Sequence, residues 1–197
     1  STKVVQLRYE AERAILESYG ELLNERYFKS GVGMKGGFLR YADNDLVTLV
    51  KDVLKESNIN AHDAIFSIPA AASFVVKITL PKITPKEVQS AIPFEARKYI
   101  PIPIAEVILD WDIISSKDKE AETEVLLVAL PREIVDKFKR VGTSAGLTVK
   151  ALEVETFSLV RSLVGHDATA QAIINFGHHT TTLAIVDQGK IRISHNF

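Results

Sequence analysis

The chain has 197 residues, of which 46% are hydrophobic, enough to bury the core of one domain or of two small ones. Its 24 basic and 25 acidic residues are interspersed and give a formal net charge of -1, so no strong field attracts nucleic acid or anionic lipid. Cysteine is absent, which excludes disulfides, thiolate metal sites and a cysteine nucleophile. Because no apolar run suits a membrane-spanning helix or a signal peptide, we expect a cytoplasmic protein.

The N-terminal part is predicted to form two antiparallel strands, a helix and two short buried strands. The helix follows the glycine-rich stretch Gly31–Gly37, with Asp43 and Asn44 as predicted N-caps and Asn58 near its end. The strands are recognised by alternating or continuous apolar residues, and the last two are each closed by a proline. They are predicted at Lys3–Arg8, Ala14–Leu23, Ala64–Ile68 and Ser73–Leu80.

A second helix is predicted to begin at Thr84, because Thr84 and Glu87 have the spacing of a capping box. Pro93 lies inside this helix and is expected to kink it unless packing compensates. The buried face is predicted to carry Val88, Ile92, Ala96 and Tyr99. Alternating prolines and isoleucines then predict a stiff extended link over Tyr99–Ile104.

The link leads into a predicted hairpin of Val107–Ile114 with Glu124–Leu130, followed by a helix from Pro131 that ends at Gly146. The order helix, strand, strand, helix is typical of a compact α+β unit. Since strand-rich chain continues on both sides, we interpret this unit as an inserted subdomain.

After the insert, a strand at Leu147–Ala151 and a helix at Glu153–Val164 lead to three closely spaced strands. These are predicted at Ala172–Phe176, Thr181–Val186 and Lys190–His195, with a hairpin turn at Asp187–Gly189. The fold class is therefore α/β with an α+β insert. The first residue is not methionine and the last strand stops at Phe197, so we expect both ends to be cut inside folded structure.

The predicted hairpin around Gly177 has the outline of a phosphate cradle. Asn175 ends an apolar strand, and Gly177, His178, His179 and Thr181 form the turn and the start of the next strand. Glycine lets backbone amides approach phosphate oxygens closely, and threonine hydroxyls can also donate. The N-terminal residues Ser1, Thr2 and Lys3 resemble a second such element, with small hydroxyl residues leading into an apolar strand. Two facing phosphate hairpins are similar to the clamp of the actin and hexokinase superfamily. The alternative is two ordinary hairpins in a threonine-rich sheet.

Two other groups of polar residues have simpler interpretations. His178 and His179 invite a metal site, but adjacent histidines point apart on an extended backbone and no third ligand stands at a recognisable spacing. Asp110 and Asp112 could work as a carboxylate pair, yet on a strand they share one face, which favours a solvated face. Trp111, on the opposite face, is interpreted as a core residue.

A more specific resemblance rests on longer segments of the chain. These are Glu95–Pro103, Glu106–Trp111, Val125–Pro131, Ala145–Leu147 and Ala151–Glu155. In order and spacing they resemble the PilM family of type IV pilus assembly proteins, which is actin-like and related to the division protein FtsA. The resemblance is strong from Ser67 to Phe157 and covers nearly the whole chain.

The resemblance implies an actin-like, RNase H-like organisation in four segments. Residues 1–76 would begin subdomain 1A, residues 77–150 would form an inserted subdomain 1C of the SHS2 type, residues 151–170 would return to 1A, and residues 171–197 would begin subdomain 2A. It further implies that the cytoplasmic N-terminal tail of a PilN-like membrane protein docks between 1A and 1C, and that the protein is peripheral to the inner membrane only through such partners. Self-association is a further expectation.

For the sites, the resemblance implies ATP with Mg²⁺ as a structural or switching ligand. The nucleotide-binding residues would be Ser1, Thr2, Lys3, Asn175, Gly177, His178, His179 and Thr181. The partner-binding residues would be Phe94, Arg97, Lys98, Tyr99 and Ile100. Asn175 stands where the family usually has Asp to hold the magnesium shell, and a neutral amide binds a hydrated cation less well. We therefore expect at most a weak ATPase, with Mg²⁺ near Asn175 and no catalytic residue assigned.

Three other readings stay open. An FtsA-like division protein or a GspL-like type II secretion component would share the fold and differ in its machinery. An ATPase or sugar-kinase-type phosphotransferase would need a catalytic base and a complete adenosine site. None of the residues in this chain offers a convincing base.

Overall fold

In a computed structural model, the described part of the chain forms ten strands and four α-helices. The structure describes residues 1–24, 27–28, 41–81, 83–115, 122–165, 167–177 and 180–197. The glycine-rich stretch Gly31–Gly37 lies outside these ranges, as do His178 and His179. Two compact units are formed, one by Ser1–Phe66 with Ile134–Leu152 and the other by Ser67–Glu133 with Glu153–Phe197. The subdomain boundaries drawn from the sequence stay predictions.

Most elements lie where the apolar patterns predict them. The strands are β1 Thr2–Glu10, β2 Arg13–Leu22, β3 Asp63–Ile68, β4 Phe74–Pro81, β5 Val107–Ser115, β6 Glu122–Pro131, β7 Thr148–Val154, β8 Gln171–Phe176, β9 Thr181–Asp187 and β10 Lys190–Asn196. The helices are α1 Asp43–Glu56, α2 Pro85–Ala96, α3 Arg132–Ser144 and α4 Glu155–Leu163. Among the described helices, none combines the length and the apolar character that a bilayer crossing requires.

The first unit contains the antiparallel β1–β2 hairpin, the β3–β7 pair, α1 and most of α3. The N-cap of α1 is Ala42, whose side chain cannot cap, so the predicted N-caps Asp43 and Asn44 are wrong by one or two positions. At the other end Asn58 adopts a positive φ of 51°, which confirms it as the residue where the helix stops.

The Asp43 carboxylate forms ion pairs and does not cap the helix. Its two carboxylate oxygens lie 3.0 Å from Arg140 Nε and 3.3 Å from Lys137 Nζ, both on α3. The Lys137 side chain is only 6% exposed and also donates to the carbonyl of Tyr41. The hydrogen bond from Arg140, and after it the one from Lys137, holds the pKa of Asp43 below its ordinary value. These contacts attach the start of α1 to α3.

This ion pair predicts a loss of stability in acid. Because the pKa of Asp43 is lower in the folded state, its stabilising effect is complete above the unfolded pKa, near 4, and disappears as the pH falls through the folded pKa. We expect less than about 1 kcal/mol, since the Asp43 side chain is 39% exposed. Urea unfolding between pH 7 and pH 2 should show a flatter stability profile for Asp43→Asn than for the parent chain. Asp45→Asn, an exposed change in the same turn, should leave the parent profile unaltered, and an equal flattening would contradict the assignment.

The second unit has a three-stranded antiparallel sheet in the order β4-β6-β5, with α2 packed on one face. The capping box at the start of α2 is confirmed: Glu87 N–H donates to Thr84 Oγ1 at 3.3 Å, and Thr84 N–H donates to Glu87 Oε2 at 2.7 Å. α2 continues past Pro93 to Ala96, because the helix is held by completely buried side chains. These are Val88, Ile92 and Ala96.

The other face of this sheet packs against the C-terminal part of the chain. Leu126 on β6 belongs to a second hydrophobic cluster with residues of α4, β9 and β10. The C-terminal strands form an antiparallel sheet in the order β10-β9-β8, and Lys190 on β10 pairs with Asp112 on β5 at 3.0 Å. Asp110 and Asp112 are exposed and Trp111 packs on the core, as predicted. β6 is therefore covered on both faces.

Candidate functional site

The end of β8 and the start of β9 approach each other closely at Gly177 and Thr180. Phe176 pairs with Thr181 at its base, and Gly177 N–H donates to the Thr180 carbonyl at 3.0 Å. A Cβ added to Gly177 would lie 2.7 Å from that carbonyl oxygen, closer than a real side chain can approach. Glycine is therefore required for the turn itself, a physical reason that applies with or without a phosphate ligand.

Asn175 contacts a residue that sequence reasoning missed. Its side-chain amide donates to Glu155 Oε1 at 3.4 Å, and Glu155 is the first residue of α4. An aspartate at position 175 would repel this carboxylate, whereas an amide can donate to it. No spacing in the sequence indicates the pair, since 20 positions separate the two residues and only tertiary packing brings them together.

Among the described residues, the carboxylate recorded in contact with Asn175 is that of Glu155. Within the described ranges, no group of three histidine, cysteine, aspartate or glutamate side chains could hold a metal ion. Magnesium carried by nucleotide phosphates keeps several waters and needs only one or two protein carboxylates. Glu155 fits that limited role, and the close backbone approach at Gly177 fits a phosphate group. The nucleotide and metal expectations stay predictions.

The three N-terminal residues of the predicted phosphate site belong to the first unit, whereas Asn175 and Gly177 belong to the second. Thr2 uses its hydroxyl proton in a hydrogen bond to Asn24 Oδ1 at 2.9 Å. Lys3 faces Glu21 across the hairpin, with 3.9 Å between the charged atoms. Ser1 is exposed. The structure describes this element and the β8–β9 turn separately, and a clamp made of both stays a prediction.

The end of α2 presents an exposed aromatic and basic surface. Phe94 is 66% exposed, and the guanidinium carbon of Arg97 lies 5.5 Å from the centre of its ring. Tyr99 is also exposed, whereas Lys98 is held by both carboxylate oxygens of Glu95 at 2.8 Å. The hydrogen bond that Lys98 donates to Glu95 raises the pKa of Lys98. We call the exposed residues Phe94, Arg97 and Tyr99 the α2-end surface.

Two sequence expectations for this region are wrong. Tyr99 was predicted on the buried face of α2, but the helix ends at Ala96 and the following turn directs Tyr99 outward. Ile100 is buried instead of Tyr99. Its N–H donates to the Ala96 carbonyl, and its side chain lies in the core and is only 5% exposed. Ile100 is therefore not available as a partner-binding residue, because a partner cannot reach it without opening the core.

A shallow, mostly apolar depression of about 470 Å³ lies on the same helix. It is lined by Ile83, Lys86, Glu87, Ser90 and Ala91. Ser90 and Ala91 precede Phe94 by four and three residues, so the depression and Phe94 share one face of α2. In the sequence, this depression could have been recognised from the small residues Ser90 and Ala91, which stand one helical turn before Phe94.

The architecture described above is the mixed α/β architecture of the actin-like proteins. The chain belongs to the family described as "Type IV pilus assembly protein PilM", whose sequence profile matches residues 34–195. Both statements agree with the resemblance found in the sequence.

Solved structures with the same fold come from two machineries. The chain is similar to a protein in the "PilM-PilN type IV pilus biogenesis complex", with a TM-score of 0.79, 22% identity, and coverage of 99% of this chain and 57% of that one. It is also similar to the cytoplasmic domain of EpsL, an inner membrane component of the type II secretion system of Vibrio cholerae, with a TM-score of 0.61, 9% identity, and coverage of 100% and 66%. At these identities the likenesses show the fold. The chain spans less than two thirds of the length of either structure.

Proposed function

We propose that this chain is part of a cytoplasmic scaffold for type IV pilus assembly that binds the N-terminal cytoplasmic tail of a PilN-like membrane protein. Membership of the PilM family supports the pilus role. The structural neighbour from a complex with PilN supports the choice of partner. In this proposal the scaffold is held at the inner membrane through its partner.

The observation that carries the proposal is the α2-end surface. An aromatic ring that is 66% exposed lacks the burial that its hydrophobicity favours. Aromatic and arginine side chains, which supply most of the binding energy at protein interfaces, stand together here as Phe94, Arg97 and Tyr99.

The chemistry of this surface suggests what the tail must offer. An apolar side chain of the tail would cover Phe94 and extend into the depression beside Ala91. Arg97 would bind an acidic group, because within the described residues its recorded contact is the ring of Phe94, whereas Lys98 is already paired with Glu95. The proposed partner segment therefore combines apolar and acidic residues.

ATP with Mg²⁺ is proposed as a structural or switching ligand of the same scaffold, with turnover slow or absent. The glycine turn at Gly177 supports a phosphate contact, and the amide at Asn175 supports weak hydrolysis. The nucleotide would serve to bias the protein between arrangements rather than to transfer phosphate.

The test is fluorescence anisotropy with a labelled peptide from the cytoplasmic N-terminus of the cognate PilN-like protein. We expect saturable binding to the chain in the micromolar range or tighter. Phe94→Ala and Arg97→Ala should each weaken it by about ten-fold or more, as is typical of interface hot spots. Gln89→Ala, an exposed change on the same helix, should alter it by less than about two-fold.

Absence of binding by this chain, repeated with the full-length protein and Mg-ATP, would contradict the pilus assignment. Binding that Phe94→Ala and Arg97→Ala leave intact would keep the partner and move the contact away from the α2-end surface. The type II secretion alternative, which shares the fold, predicts binding to a peptide from the secretion machinery instead. The division and phosphotransferase alternatives predict no binding to either peptide.

A further inference from the structure

A second cavity, unrelated to the proposed partner surface, lies within the first unit. It is a cleft of about 410 Å³ that is open to solvent and lined by the last turns of α1, the segment leading into β3 and the turn between α3 and β7. Pockets for small ligands have volumes of roughly 300 to 1,000 Å³. The space therefore matches a small molecule and is too small for a folded partner.

Every ionisable side chain that lines this cavity is basic. Lys51 and Lys55 come from α1 and His62 from the segment before β3. In the part of the chain that the structure describes, neither lysine makes an ion pair or a hydrogen bond through its ammonium group. Two nearby carboxylates are engaged elsewhere: Asp52 accepts from the Tyr27 hydroxyl at 2.9 Å, and Asp63 pairs with Lys150 at 3.4 Å.

The position of the two lysines is not explained by the helix itself. Lys55 stands in the last turn of α1, where a cation interacts favourably with the helix dipole. Lys51 lies a turn earlier, where that effect has faded, and it repels Lys55 because residues four apart are neighbours on a helix. A bound anion between them would remove this repulsion.

The remaining walls are mostly apolar, with Asn60 as their polar side chain, and part of their backbone is held in place. Leu54, Ile59 and Leu147 are half-buried in the lining. The N–H groups of Asn60 and Ala61 both donate to Gln6 Oε1, at 3.1 Å and 3.3 Å, which fixes the segment between α1 and β3. A rigid apolar wall beside cationic groups favours ligands with one charged end and one apolar end, since little ordering is needed on binding.

We infer that this cavity is a binding site for a small organic anion: a carboxylate or phosphate head group between Lys51 and Lys55, with a short apolar body against Leu54 and Ile59. The site is independent of the proposed partner and of the nucleotide. It would let the level of a small anionic metabolite influence the first unit.

The test is an NMR titration of the ¹⁵N-labelled chain with acetate, butyrate, inorganic phosphate and propyl phosphate. We expect saturable shifts centred on the amides of Asn60, Ala61, Gly146 and Leu147. Butyrate and propyl phosphate should bind more tightly than acetate and inorganic phosphate, because only the first two reach the apolar wall. The tighter of the two longer probes identifies the head group.

A pair of matched double variants tests the role of the lysines. Lys51→Gln with Lys55→Gln should weaken binding on the order of ten-fold or more, as expected for loss of charge-assisted contacts. Arg13→Gln with Lys139→Gln removes the same charge from exposed sites on β2 and α3 and should change binding less than about two-fold. The inference would be overturned by chemical shifts that do not saturate or that appear around every lysine of the chain. An equal loss of binding in the two double variants would also overturn it.

Discussion

Replacing Leu127 by alanine should lower the free energy of unfolding by about 3 to 5 kcal/mol. Leu127 is completely buried in the central strand β6, opposite Val76 on β4 and Trp111 on β5. It belongs to the cluster that joins this sheet to α2. Because both neighbouring strands are hydrogen-bonded to β6, the walls cannot close around the missing atoms, and the full cost of a cavity is expected.

Urea unfolding followed by circular dichroism and by fluorescence of Trp111, the single tryptophan, measures this loss. Leu163→Ala makes the same chemical change at a side chain of α4 that is 65% exposed, and should stay within about 0.5 kcal/mol of the parent. A similar loss in both variants would mean that the packing around β6 is not what holds the second unit together.

Replacing Gly142 by alanine should destabilise the first unit by about 1 to 3 kcal/mol, although alanine is the better helix former by about 1 kcal/mol. A Cβ at this position would lie 2.5 Å from Val149 Cγ2 and 3.0 Å from Phe66 Cε2. Glycine therefore lets α3 pack closely against β3 and β7. Phe66 is further fixed by its edge-on contact with Phe138, at 5.9 Å between ring centres.

Thermal and urea unfolding of Gly142→Ala should be compared with Thr143→Ala, an exposed neighbour on the same helix. Adding Val149→Ala to Gly142→Ala should recover part of the loss, because it removes the nearer of the two contacts, and a double-mutant cycle measures that coupling. If Gly142→Ala were as stable as the parent, α3 would have room to move away from the strands and the close contact would not matter.

The candidate site could be predicted in part. The capping box at Thr84 and Glu87 is read from residue spacing and places the start of α2 correctly. The exposed position of Phe94 follows from the same helical register, counted onward from Thr84. The face predicted for Tyr99 and the partner contact predicted for Ile100 were wrong, since the helix ends at Ala96 and the period that assigns faces no longer applies beyond it.

Other parts of the site have no signal in local sequence. The pairing of Glu155 with Asn175 joins residues that belong to different elements, and only packing of α4 against the C-terminal sheet makes them neighbours. Convergence of Lys51, Lys55 and His62 on one cavity likewise depends on how α1 and the following segment fold back. Contacts between distant segments depend on the sum of many weak packing terms, which no short pattern encodes.

The amino-acid sequence by itself determined the order and type of the elements, the hairpin turns, the capping box and the family resemblance, because these depend on periodicity, turn residues and local hydrogen bonds. Only the tertiary structure decided that β6 is buried on both faces, that Gly142 is a packing contact and that Asp43 pairs with Lys137 and Arg140 instead of capping α1. Each of these depends on side chains brought together from distant positions, where close packing and paired charges outweigh local preference.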